Sequence, residues 1–379
     1  MKLTQIETFL VEPRWLFVRI ESDEGVVGWG EASLEGHAEA VQGAFESFRD
    51  RLLGSDPFRI EDIWQIAYRG GFYRGGPVLM SALSGIDQAL WDLKGNALGL
   101  PVWELLGGKV RERVQVYGWI GGDRPQDVAA AARARKAQGF SIVKMNGVAE
   151  TGYLESTKAL YAVADRLEAV KAEGVEVGID FHGRVHRAVA KQLVVTLEPL
   201  RPLFIEEPVL SEHIEALTQI GRLSSVPIAL GERLYNRWDF KPFLAAGVVD
   251  IFQPDLSHAG GISEGRRIAA MAEAYDVTVA PHCPLGPLAL ASCLQLAGCT
   301  PNVTLQEMSL GIHYHTESDL YTYVKNPAVL TPREGYLEIP TGPGLGVVID
   351  EVKVREANEQ PHRWRNELWR LQDGSVAEW

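Results

Sequence analysis

Three acidic residues recur at one fixed interval: Asp180, Glu206 and Glu232 stand 26 residues apart, each closing a short apolar run. The runs are residues 175–179, 203–205 and 227–231. An interval of that length holds one strand, one helix and two loops, so the three acids occupy equivalent points of successive βα units. In a closed (β/α)₈ barrel such points converge on the face built from the C-terminal strand ends. Converging carboxylates repel one another unless a cation joins them, and one hard divalent ion with oxygen ligands, Mg²⁺ ahead of Ca²⁺ or Mn²⁺, meets that need. Any one of the acids alone would read as a helix N-cap or a solvated loop residue. Repetition at three equivalent points favours metal ligands.

The bulk properties agree with a compact metal-dependent enzyme. A chain of 379 residues is long enough for a barrel and a second, smaller domain. Its net charge of −13 repels phosphate backbones, and no basic stripe offsets it, so nucleic acid is not an expected partner. No apolar stretch approaches the roughly 20 residues of a transmembrane helix, and the start at Met1-Lys2-Leu3 has no signal-peptide core. A cytoplasmic location without membrane contact follows as the expectation. Cys283, Cys293 and Cys299 form an odd, clustered set that suits reduced thiols, and no protease-like context surrounds Cys283.

Organisation changes near residue 115. Before it, strand-like runs at 16–20 and 26–30 flank the turn Ser22-Asp23-Glu24-Gly25, and a helical stripe follows through Leu83, Ile86, Leu90, Trp91 and Leu93. After it, eight apolar strand candidates alternate with helical stretches, at 114–117, 142–144, 177–180, 203–206, 228–231, 251–253, 277–280 and 303–306. The expected fold is therefore α/β: a (β/α) barrel of modified TIM type over 114–340, an α+β capping domain over 1–113, and a Trp-rich segment over 341–379 that packs back on the cap.

The strand ends carry the chemistry in order: Lys144-Met145-Asn146, Asp180-Phe181-His182, Glu206-Glu207-Pro208, Glu232-Arg233, Gln253-Pro254-Asp255, His282 and Glu307. His182 lies two residues beyond a proposed ligand, so a continued pleat would aim both side chains into the barrel. Asp255 on the neighbouring strand is positioned to hold the second nitrogen of His282, which would fix its tautomer and raise its basicity. Glu207 is expected on the opposite side of its strand, and His258 reads as a structural loop residue. His313 and His315, with Tyr314 between them, look like a metal pair, but their place beyond strand eight favours a surface or interface role.

This ordered set resembles the enolase superfamily, mandelate racemase subgroup, over essentially the whole chain. Within it, Gly71-Phe72-Tyr73-Arg74-Gly75-Gly76-Pro77, Asp180-Phe181-His182-Gly183-Arg184, the runs 253–262 and 280–287, and the ending Asp373 to Trp379 are similar to the sugar-acid dehydratases. The resemblance implies a Mg²⁺-dependent hydro-lyase acting on D-galactonate or a related aldonate or aldarate. It implies that His282 takes the C2 proton with Asp255 behind it, that His182 protonates the departing C3 hydroxyl, and that Glu307 in protonated form bonds the ene-diolate oxygen. One departure matters: relatives with a lysine base carry Lys-x-Lys at strand two, whereas Asn146 replaces the second lysine and cannot accept a proton at neutral pH. Lys144 is expected to bind the substrate or to pair with a metal-ligating acid, and Asn146 to bind a substrate hydroxyl or water. From the cap, Arg14, Tyr73 and Arg74 are expected to read the distal part of the substrate. Members of the subgroup are commonly oligomeric, so a homo-oligomer is expected. The readings kept open beside this one are an acid-sugar epimerase and a catalytically silent barrel that binds a metal or an acid sugar.

Overall fold

The computed structural model describes residues 1–121, 124–125, 127–311 and 319–379. The cap opens with a three-stranded antiparallel sheet in the order β1 (Leu3–Val11), β2 (Trp15–Ser22), β3 (Val27–Glu31). Strand β1 carries no clean alternation in the sequence and was not among the expected strands. Four helices follow: α1 (Ala38–Leu52), α2 (Ile60–Arg69), α3 (Gly76–Leu98) and the short α4 (Val102–Leu105). Pro77 stands in the first turn of α3, where its missing N–H costs nothing. The apolar side of α3 packs through Leu83, Ile86, Leu90 and Leu93 in the core it shares with β1, β2 and α1. Its other side is also buried but polar, with Ser81, Ser84, Asp87 and Gln88 all nearly inaccessible.

Eight parallel strands then form the barrel: β4 (Arg113–Ile120), β5 (Ile142–Asn146), β6 (Glu176–Asp180), β7 (Phe204–Glu206), β8 (Ile228–Leu230), β9 (Ile251–Phe252), β10 (Thr278–Val279) and β11 (Leu305–Met308). They run β10-β9-β8-β7-β6-β5-β4-β11, and a parallel bridge from Val279 to Val303 closes the ring. All eight overlap expected strands, the last displaced by two residues from 303–306. Among the described residues seven α-helices cover the outside, α5 (Val128–Ala137), α6 (Thr157–Lys171), α7 (Arg187–Leu197), α8 (Ile214–Gly221), α9 (Arg237–Ala246), α10 (Gly261–Glu273) and α11 (Pro287–Cys299). Among the described residues no α-helix of this outer ring follows β11; the chain returns as β12 (Tyr336–Glu338), antiparallel to β4. Tyr117, Ile142, Phe204, Ala229, Ile251 and Ala280 fill the barrel interior as one cluster, so the barrel is a packed core with chemistry at one mouth.

The final segment divides its contacts. Helix α12 (Glu351–Asn358) returns to the cap, where Arg355 pairs with Glu7 at 3.0 Å and the Asn358 amide oxygen accepts from Leu10 N–H at 2.8 Å. Beyond it the tail crosses to the barrel mouth, with Trp369 and Trp379 against the Arg184 guanidinium at 4.2 and 5.0 Å. The expectation named only the packing on the cap; the cationic face of Arg184 is what the two indoles meet at the barrel. No helix among the described residues is long and apolar enough to cross a membrane.

Candidate active site

Register brings the first site residues together. Asn146 on β5 pairs with Asp180 on β6, which pairs with Glu206 on β7, so three strand ends stand level at the mouth. Glu232 lies just past β8. Lys144, two residues before Asn146, shares its inward face one layer deeper. There its ammonium lies 3.2 Å from Asp180 Oδ2, 3.0 Å from Glu206 Oε1 and 2.9 Å from Glu307 Oε1. Burial disfavours that charge, but Glu206, Glu307 and Asp180 outweigh it and hold the pKa of Lys144 well above the usual range. Of its two expected roles, the one the structure displays is counter-ion to the acid cluster.

The acids remain crowded. Burial and the neighbouring Asp180 push Glu206 up. Its second oxygen accepts from Gln253 Nε2 at 2.7 Å, a positioning contact that spacing did not reveal. Ligand atoms of Asp180, His182 and Glu232 lie within 4.8 Å of one another. Asp180 Oδ2 and Glu232 Oε2 are sealed from solvent and take no aligned hydrogen bond, although cations stand at ion-pair range. An oxygen-rich, under-coordinated set of this kind fits a hard divalent cation.

Two histidines face the same pocket from opposite sides of the barrel. His182 follows β6 in a left-handed turn at φ 50°, not in a continued pleat; its N–H donates to Asp180 Oδ1 at 2.8 Å and its Nε2 stands 3.2 Å from Oδ2. Burial lowers its pKa. His282, past β10, bonds Asp255 Oδ2 through Nδ1 at 2.8 Å and meets Glu232 Oε2 through Nε2 at 3.1 Å. Burial opposes its charge, yet Glu232, Glu307 and Asp255 raise its pKa to about 10. Burial likewise opposes ionisation of Glu232, but His282, His182, Lys144 and Arg233 pull its pKa below the ordinary range. Asp255 Oδ1 accepts from Ser257 N–H at 2.6 Å, which fixes the carboxylate behind the imidazole.

Glu307 Oε2 accepts from Cys283 N–H at 3.0 Å, and its Oε1 stands 2.9 Å from the Lys144 ammonium. Glu207 is buried on the far side of the cluster against Arg233 Nε at 2.9 Å. His258 touches Ser81 of the cap at 3.0 Å, in keeping with a structural role. Burial and the adjacent Cys293 push the Cys283 thiol far above its ordinary range, which removes it as a nucleophile. His313, Tyr314 and His315 lie outside the described residues.

From the cap, Arg14 lines the pocket, pairing with Glu35 at 2.6 Å and donating to Pro284 O at 3.1 Å. Tyr73 and Arg74 do not line it. Tyr73 is 86% exposed beside Phe72, and Arg74 lies over the Tyr68 ring. The reason is docking: α3 is anchored to the barrel through Ser81 to Trp91, which leaves the α2–α3 connection on the outer rim. Asn146 lines the pocket as expected, with Trp119, Arg184, Glu35 and Trp379, whose pocket role sequence reasoning missed. Arg184 and Trp379 stood in motifs already singled out for resemblance; Trp119 and Glu35 had no signal in spacing.

The pattern of the enolase C-terminal domain-like family matches residues 126–353, and that of the mandelate racemase / muconate lactonizing enzyme N-terminal domain matches residues 6–107. Across the full length of both chains this sequence is 54% identical to the D-galactonate dehydratase of Ralstonia nicotianae, and 54% identical to that of Verminephrobacter eiseniae. Among solved structures, an enolase of Agrobacterium radiobacter with bound Na and L-malate superposes with a TM-score of 0.90 at 32% identity, covering all of both chains. Closed barrel, antiparallel cap, acid cluster and both domain patterns agree: the chain belongs to the mandelate racemase and muconate lactonizing enzyme family of the enolase superfamily.

Proposed function

We propose that this chain is a hydro-lyase that removes water from a sugar acid, with D-galactonate as substrate and 2-dehydro-3-deoxy-D-galactonate as product. The reading rests on one arrangement: two histidines from opposite strands open on one pocket beside an oxygen-rich acid cluster, and one of the two is braced by a carboxylate 2.8 Å away. Full-length identity to proteins named D-galactonate dehydratase supports the substrate. The bound L-malate of the Agrobacterium radiobacter protein supports the wider class, because malate carries the carboxylate and α-hydroxyl found at C1 and C2 of any aldonate or aldarate.

When held by Asp180, Glu206 and Glu232, Mg²⁺ supplies neutralising charge to the substrate carboxylate and so acidifies the C2 proton. His282 accepts that proton at Nε2, while Asp255 fixes the tautomer through Nδ1 and steadies the imidazolium that results. The electron pair released from the C2–H bond is first delocalised into the C1 carboxylate as an ene-diolate; in a second step it forms the C2–C3 double bond as the C3–O bond breaks. His182, on the opposite wall, protonates the departing hydroxyl, and the enol product relaxes to the 2-keto acid. The two walls suit loss of proton and hydroxyl from opposite faces. Asn146, Arg14 and the indole of Trp379 bound the pocket and hold the polyol chain.

The test is 2-keto-acid formation across four- to six-carbon aldonates and aldarates, with Mg²⁺ and with a chelator. Chelator-sensitive turnover led by D-galactonate is expected. Stronger turnover of another acid would replace the substrate and keep the chemistry. Undiminished turnover by His282→Asn would sink the base assignment.

A further inference from the structure

Helices α10 and α11 begin directly after the loops that carry Asp255 and His282, and neither is capped by its own side chain. Their N-cap residues are Gly260 and Gly286. Two orphan N–H groups at each start are nevertheless satisfied, by buried residues of the cap. At α11, Glu31 at the end of β3 accepts from Gly286 N–H at 2.8 Å through Oε1 and from Ala289 N–H at 3.0 Å through Oε2. Those are the N-cap and N3 amides that a capping box normally satisfies from within one helix. At α10, Ser84 accepts from Gly260 N–H at 2.8 Å and Asp87 accepts from Ser263 N–H at 3.0 Å, again the N-cap and N3 amides. Both boxes are thus supplied by another domain.

The two boxes are joined. Glu31 N–H donates to Gln88 Oε1 at 3.0 Å, and Gln88 Nε2 donates to Leu256 O at 2.9 Å and to Ser257 Oγ at 3.2 Å. Ser257 in turn holds Asp255. Space at the helix starts is matched to the arrangement: a Cβ on Gly286 would stand 2.7 Å from Glu31 Oε2, and one on Gly261 would stand 2.3 Å from Asp87 Oδ2.

We infer that Glu31, with Asp87 and Ser84, is a positioning element for the His282–Asp255 pair, so that docking of the cap sets the alignment of the base. A capping carboxylate within either helix would hold the helix equally well, but it would leave the base indifferent to the cap. With the boxes supplied across the interface, the loops bearing both members of the pair settle when the domain that closes the pocket is seated.

The inference rests on the assignment of His282 as base, so His282→Asn is measured beside the test variants. Glu31→Gln keeps the size of the side chain but replaces one acceptor with a donor that faces an N–H. With D-galactonate and Mg²⁺, its kcat is expected to fall about 10- to 100-fold, the usual range for residues that orient a reacting group, with KM within about threefold. Glu31→Asp should recover part of the rate, and Gly286→Ala should reproduce the loss without altering Glu31. Mg²⁺ affinity, measured by calorimetry, should be unchanged, since the acid ligands lie on β6 to β8. Wild-type kcat in both Glu31→Gln and Gly286→Ala, or a loss carried by KM with kcat kept, would overturn the inference. If instead His282→Asn turns over normally, it is the base assignment that has failed.

Discussion

His282 and Glu232 form an ion pair: the imidazole Nε2 stands 3.1 Å from Glu232 Oε2 while Nδ1 is held by Asp255. In that state the nitrogen that would accept a proton is already engaged, and Glu232 is the largest of the charges that raise His282 to about 10. A divalent cation on Glu232 competes for the same carboxylate. Adding Mg²⁺ to the metal-free protein near pH 8 should therefore release protons, readable by calorimetry in buffers of different ionisation enthalpy. His282→Asn should lose most of the release; equal release from variant and parent would show that the proton comes from elsewhere.

His182 offers a cleaner separation of steps. Its ring touches Asp180 and faces the pocket opposite His282. His182→Asn is expected to exchange the C2 proton of D-galactonate with deuterated solvent while forming 2-keto acid roughly 10²- to 10⁴-fold more slowly, the range for loss of a general acid. Loss of exchange together with elimination would contradict the assignment.

Lys144 holds Asp180, Glu206 and Glu307 together with one buried ammonium. Lys144→Met removes that charge and leaves three buried acids facing one another. Destabilisation of about 3–5 kcal/mol is expected in the metal-free protein, the cost of breaking a buried ion pair on one side. Saturating Mg²⁺ should recover part of it. Denaturant midpoints with and without the ion decide the matter; a midpoint within experimental error of the parent would mean that the acids are not ionised together.

Asp92 in the cap, fully buried, accepts from Trp29 and Leu345 N–H at 2.8 Å each. Burial lifts its pKa to about 7, as it does those of Glu31 and Asp87. A folded-state pKa above the unfolded one means that the stability contributed is fully present below about pH 4 and is lost as pH rises through 7. Melting temperature should therefore fall between pH 5.5 and 7.5, all three groups acting in one direction. Asp92→Asn, less stable throughout because one acceptor becomes a donor, should show a shallower fall. An equal slope in parent and variant would remove Asp92 from the account.

All eight barrel strands, the level of the acids and the pairing of Asp255 with His282 were legible in the sequence, because strand period and βα spacing dictate which way a side chain points from its own element. What one element does to another followed different rules. Lys144 pointed inward as expected, but its neighbours across β6, β7 and β11 made it a counter-ion. Tyr73 and Arg74 belong to a motif that looks like pocket chemistry, yet the docking of α3 turns them to solvent. Trp379, at the far end of the chain, reaches the pocket because Arg184 offers it a cationic face. Glu31 and Gly286, 255 residues apart, form a helix cap that neither sequence neighbourhood announces. Local periodicity determined the barrel and the ring of acids at its mouth; the tertiary structure alone decided which charge each buried acid meets, since burial makes every unpaired polar group costly and only docking supplies its partner.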